Sequence, residues 1–206
     1  MTQPGFVQPP GYSVEFEVQP QMTSRNRLTT GFRLILGIPQ FIIVGGGGNN
    51  YGPSALTGAA SAMAFISWFA VVFTGEQPRG LWDFTTYYMR WWARVTAYAA
   101  LLRDDYPPFG DEPYPITYGV TYPVGERDRL SVGLRLIYAI PHLLVLIFIN
   151  IAWVVSTIIA WFAILITGAY PEGLYHFGVG AMRWNARVQS YLLLLRDEYP
   201  PFSLRP

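Results

Sequence analysis

Few residues in this chain are equipped for chemistry. Among 206 residues there are two His and no Cys, and all 14 basic side chains are Arg. Without Cys there is no disulfide, thiolate nucleophile, iron–sulfur cluster or cysteine zinc site. Without Lys there is no Schiff base, P-loop lysine or Ser–Lys dyad. His142 sits directly after Pro141 inside an apolar run. One reading is packing: Pro141 frees a carbonyl in the preceding turn, and polar side chains nearby satisfy such groups. The sharper reading is a neutral imidazole ligating a haem or chlorophyll-type metal brought by a partner subunit. The packing reading is favoured, and no resident cofactor is expected. His176 is expected to meet solvent or lipid headgroups.

Arginine offers the richer pattern. Arg90 with Arg94, and Arg183 with Arg187, are four residues apart and share a helix face. Arg33 and Arg135 open the two apolar runs. Planar guanidinium groups suit lipid phosphates, and Trp91, Trp92 and Trp184 supply adhesive aromatic surface beside them. These nine residues form the expected lipid- or partner-binding set. The alternatives are plain interfacial anchoring, or pairing with Asp104, Asp105, Asp197 or Glu198 to lock helices onto strands. The carboxylates beside Pro-Pro read as solvated helix ends. Gly45 to Gly48 lacks the GK[ST] of a phosphate loop. A net charge of +1 gives no basic field for nucleic acid.

The elements that must position these residues come in two copies. Arg27 to Gln40 matches Arg129 to His142 at eight of fourteen positions, at an offset of 102. Ser67 to Phe84 matches Ala160 to Phe177 at nine of eighteen, and Arg90 to Phe109 matches Arg183 to Phe202 at fourteen of twenty, both at an offset of 93. The difference of nine is an insertion in the first copy, most simply the Gly-rich stretch from Gly45 to Ser54. Each copy follows an alternating segment that predicts a strand, Ser13 to Val18 and Ile116 to Tyr122. The chain divides into an extended N-terminal segment with a strand (1–21), a first repeat (22–109), a linker with a strand (110–126) and a second repeat (127–206).

Composition points to a membrane. Only 13% of residues are charged while 51% are hydrophobic, about half the charged share of an ordinary soluble domain. No charge lies between Arg33 and Glu76 or between Arg135 and Glu172, windows of 42 and 36 residues. About 20 residues span the hydrocarbon core, so each window predicts a short transmembrane hairpin. The first turns at Gly45 to Gly58 and the second tightly near Asn150. Phe84 to Leu102 and Phe177 to Leu195, with their Arg pairs and aromatics, predict amphipathic helices lying in the interface. The expected fold class is therefore an all-α membrane protein. It has two tandem repeats, each a transmembrane hairpin plus an interfacial helix, preceded by short cytoplasmic strands. The Arg distribution puts both termini in the cytoplasm and the chain, multi-pass, in a bacterial plasma membrane. Met1 to Gln21 lacks the features of a cleaved signal, so the first apolar segment is expected to act as an uncleaved anchor.

The combination RLxxGxRLIxxIPH, WFAxLxTGxYPxGL, RWxxRVxxY and LRDxYPPFSL resembles a bacterial membrane-protein domain family known chiefly as a domain of unknown function. It covers nearly all of residues 21–206, twice, and the second copy fits better; Gln40 stands where the second copy has His142. The resemblance implies a hairpin-plus-helix fold and brings no catalytic residues. The expected function is a non-catalytic accessory or scaffold subunit of a larger membrane complex, contacting lipids and other membrane subunits. The alternative is binding of a lipid or small hydrophobic molecule between the repeats. An enzyme ranks last, because no catalytic constellation is visible.

Overall fold

The computed structural model describes residues 12–45 and 54–206. In the first copy, β1 (Val14–Val18) leads to α1 (Arg27–Gly31), α2 (Arg33–Val44), α3 (Ala55–Thr74) and α4 (Arg79–Ala99). In the second, β2 (Ile116–Val120) leads to α5 (Arg129–Gly133), α6 (Arg135–Thr167) and α7 (Glu172–Leu192). The protein is thus mostly helical, with one two-stranded antiparallel ribbon. The strands fall where alternation predicts them, with Val14, Phe16, Ile116 and Tyr118 turned inward.

Local signals set the helix ends. The Asn26 side chain accepts from Thr29 N and that of Asp128 from Leu130 N and Ser131 N, capping α1 and α5. α3 and α6 stop at Gly75 and Gly168, both with left-handed φ of 80° and 74°, which glycine adopts without a Cβ penalty. Pro78 and Pro171 then start α4 and α7. The repeated Thr-Gly-x-x-Pro-x-Gly-Leu is this stop and restart.

The hairpins are not there. α6 runs unbroken through Asn150 for 33 residues. No Gly or Pro stands between Pro141 and Gly168 to break it, and Asn150 Nδ2 instead faces Asn185 Oδ1 at 3.3 Å. In the first copy α2 and α3 lie end to end along α4 rather than side by side. Arg33 stacks on Tyr98 at 4.2 Å, Trp91 Nε1 donates to Gln40 Oε1 at 2.8 Å, and Thr57 Oγ1 lies 3.1 Å from the Tyr88 hydroxyl. Arg33 and Thr74 therefore sit at opposite ends of α4, whose residues 79–98 span about 28 Å. α3 begins where α2 stops, with Thr57 Oγ1 donating to Val44 O at 2.8 Å. Part of the expected Gly45 to Gly58 turn, residues 46–53, lies outside the described residues.

The interfacial helices are a second correction. α4 and α7 form the middle of the molecule, between the long apolar helices and the ribbon. Tyr88, Met89, Trp92, Val95 and Tyr98 of α4 are almost wholly buried, as are Tyr175, Met182 and Tyr191 of α7. Their Trp and Tyr rings fill a core instead of a headgroup layer. The outward faces of α2, α3 and α6 stay uncovered and apolar, with Leu34, Ile42, Phe65, Phe73, Phe148 and Ile166 exposed. Among the described residues two helices, Ala55–Thr74 and Arg135–Thr167, are long and apolar enough to cross a membrane.

Candidate functional site

The strongest polar constellations are two buried clusters at matching places in the copies. In the first, the Asp104 carboxylate is 3.0 Å from Arg25 and 2.6 Å from Arg33. Asn26 N donates to the same carboxylate at 2.9 Å. Arg33 also donates to Arg103 O at 2.8 Å and lies over Tyr98, while Arg25 donates to Leu101 O and to Leu102 O. In the second, Asp197 pairs with both Arg127 and Arg135. Arg135 donates to Tyr191 O at 2.9 Å and Arg196 O at 3.0 Å, and Arg127 to Leu194 O at 2.9 Å.

The geometry behind these clusters is local. Leu101 and Leu194, just past α4 and α7, carry left-handed φ of 62° and 63°, a conformation costing a branched L-residue about 1–2 kcal/mol. That twist closes the helix ends, with Leu102 N donating to Ala97 O and Leu195 N to Ser190 O. The Leu101 and Leu194 carbonyls meet Arg25 and Arg127. Two guanidinium groups share one carboxylate in each cluster, and backbone carbonyls accept from further N–H groups, while the Nε of Arg25, Arg33 and Arg135 stays buried without a partner. Burial draws the Arg25 pKa down, against the pull of Asp104. For Asp197 burial pushes upward, and Arg127 and Arg135 together reverse it, so the carboxyl lies below its ordinary value.

The expected binding residues are therefore largely committed within the chain. Arg33 and Arg135 are buried in the clusters. Arg90 and Arg94 reach Asp111 at 3.1 and 3.2 Å, and Arg94 also donates to Gly110 O at 2.7 Å. Arg183 donates to Phe16 O and Leu204 O, and Arg187 to Arg205 O at 3.0 Å. Trp91, Trp92 and Trp184 are buried, because the middle layer is covered on both sides. The pairing alternative predicted the Asp104 and Asp197 contacts; Arg25 and Arg127 were missed. Their signal was present, RNRL at 25 and RDRL at 127 at the offset of the repeat.

His142 is fully buried. Its Nδ1 accepts from Trp184 Nε1 at 3.2 Å, its ring stacks on Phe202 at 3.9 Å, and Tyr199 closes another side at 4.7 Å. Its Nε2 is buried without a partner. Gln40 occupies the same place in the first copy, accepting from Trp91 and donating to Pro107 O at 2.8 Å. His176 is exposed, 3.7 Å from Glu172.

A cleft lies between the copies, where the alternative reading expects a bound molecule. It has a volume of about 740 Å³ and is walled by α2 and α4 of the first copy and α6 of the second. Arg33, Phe41, Thr96, Trp153, Thr157 and Trp161 line it. Three of these carry buried polar atoms without a partner, Arg33 Nε, Thr96 Oγ1 and Trp153 Nε1. Among the described residues no group of His, Cys, Asp and Glu is placed to hold a metal ion.

Comparison with known proteins adds a family. No curated protein and no solved structure matches the chain. A family model described as "Domain of unknown function (DUF4389)" matches twice, over residues 27–110 and 129–203. These segments coincide with the two internal copies and cover well over half of the sequence, so the chain belongs to the DUF4389 family and carries its domain twice.

Proposed function

We propose that this chain is a non-catalytic protein of the bacterial plasma membrane that binds a lipid or similar small hydrophobic molecule between its two copies. The observation that carries this reading is the inter-copy cleft. Its volume is in the range of small-molecule sites, about 300–1,000 Å³, and such sites are mostly apolar with a few fixed polar groups. Arg33, Thr96 and Thr157 are the polar residues of its lining. Phe41, Val154, Ile158 and Trp161 suit acyl chains.

The test is photo-crosslinking with a phospholipid carrying a diazirine on its acyl chain, in membranes containing the protein. Adducts should map to the cleft, and Val154→Trp, which fills it from a half-open wall, should abolish them. Labelling of the cleft residues that Val154→Trp leaves unchanged would sink the proposal.

A second reading, the accessory subunit of a larger membrane complex, is favoured by one observation. Phe65, Phe69 and Phe73 form an exposed aromatic row on α3, with ring centroids 5.0 and 6.1 Å apart. Such a row suits a neighbouring membrane helix as well as lipid. Native electrophoresis of the protein extracted in mild detergent separates the two. Stoichiometric partners favour the subunit, and migration alone or with lipid favours the binder.

A further inference from the structure

We propose that the long apolar helices lie in the plane of one leaflet instead of crossing the bilayer. This rests on the membrane reading above and goes beyond it. The argument begins with what holds the two ends of α6. At its start Arg135 pairs with Asp197. The next residue, Glu198, accepts from Ser13 Oγ, and Arg196 donates to Thr121 O, so this end is fastened where β1 begins and β2 ends. At its finish Gly168 O accepts from Arg25 N at 3.0 Å and Tyr170 N donates to Met22 O at 2.7 Å. That end is fastened just beyond the other end of the ribbon, where Gln19 N donates to Pro115 O at 3.0 Å.

The ribbon therefore runs beside α6. A bilayer crossed from end to end by α6 would also have to contain the ribbon, with the exposed carboxylates of Glu15 and Glu17 in hydrocarbon. It would contain Arg90 and Asp111 as well, both partly exposed. Charged groups at that depth are among the costliest placements in a membrane. The first copy is tied in the same way. Arg33 reaches Asp104 at one end, and at the other Arg127 N donates to Gly75 O at 3.1 Å.

The exposed pattern agrees. A crossing helix needs an apolar band of about 20 residues, yet α6 shows apolar side chains outward at Leu136, Leu144, Ile151, Ile159 and Ile166, along its whole length. At 33 residues it is about 50 Å long, against a core of about 30 Å. Lying flat, its outward face meets acyl chains throughout, while α4, α7 and the ribbon stay on the polar side. The occupant of this face is the acyl layer of a single leaflet. Its exposed side chains are mostly aliphatic or Phe, with Tyr138, Ser61 and the terminal Thr74 and Thr167 the exceptions, and no charge occurs in residues 34–75 or 136–171.

The absence of Cys makes the test direct. Leu136→Cys, Leu144→Cys, Ile151→Cys, Ile159→Cys and Ile166→Cys would each carry a nitroxide in phospholipid vesicles, and oxygen against aqueous nickel chelate would read its depth. The five depths should agree, at about 5–10 Å below the headgroups. A single maximum at Ile151, about 15 Å deep at the midplane, would mean one crossing and overturn the proposal. Two maxima, at Leu144 and Ile159, would mean a hairpin and overturn it equally. Full exposure of all five to the chelate would overturn the membrane reading itself, a result distinct from either.

Discussion

Phe16 and Tyr118 face each other across the ribbon, and 102 positions separate them, the offset that relates the first parts of the two copies. Phe16 is thus paired with its own counterpart in the second copy. Val14 pairs with Val120 and Val18 with Ile116, as a twofold axis through the central pair demands. The ribbon is where the duplicated unit closes on itself. The axis also relates the Arg25–Arg33–Asp104 and Arg127–Arg135–Asp197 clusters.

These clusters should be stability elements. Asp104→Asn leaves two buried guanidinium groups without a counter-charge. Removing one partner of a buried pair costs about 3–5 kcal/mol. A large drop in thermal midpoint in mild detergent is expected, and a larger one than for Asp197→Asn, since the Asp197 side chain is 32% exposed against 12% for Asp104. A shift within the error of the wild type for Asp104→Asn would show that the cluster is not structural.

Asp197 also sets an acid limit. Its pKa is depressed in the folded chain, so its contribution is complete above the unfolded value of about 3.9 and is lost as pH falls through the lower folded value. Denaturation followed by Trp fluorescence should show stability falling below about pH 4. Asp197→Asn should flatten that part of the curve; an unchanged acid slope would assign it to other carboxylates.

At His142 the replacement chemistry separates packing from ligation. Gln does the equivalent work at position 40, so His142→Gln should cost less than about 1 kcal/mol. His142→Leu strands the Trp184 indole N–H and should cost about 1–3 kcal/mol. A coloured protein that His142→Gln bleaches would restore the pigment reading.

Gly180 lies against the C-terminal segment. A Cβ there would come within 2.9 Å of Leu204 O and of Leu204 Cβ. Gly180→Ala should therefore lift the segment that Arg183 and Arg187 hold by its carbonyls. Proteolysis near Ser203 should become several-fold faster, with the helical content unchanged. An unaltered cleavage rate would mean that the segment is not seated there.

The sequence by itself determined the duplication, the two uncharged windows, the strands and the helix ends. Each of these depends on neighbours a few residues apart or on a repeat offset. Asn26 and Asp128 cap their own helices, and Gly75 and Gly168 end theirs, whatever lies beyond. The tertiary structure decided which faces are covered. Trp92 and Arg94 have the composition of an interfacial helix and equally that of a core whose polar atoms find internal partners. Only α2, α3 and β2 packed around α4 select the second. Likewise the Gly-rich stretch after Val44 reads as a reversal. The helices that flank it, α2 and α3, are instead collinear, because Gln40 meets Trp91 and Thr57 meets Tyr88 along one partner. Long-range contacts of this kind, and the cleft they leave between the copies, are not encoded by periodicity or charge. They follow from how complementary surfaces meet across the twofold axis.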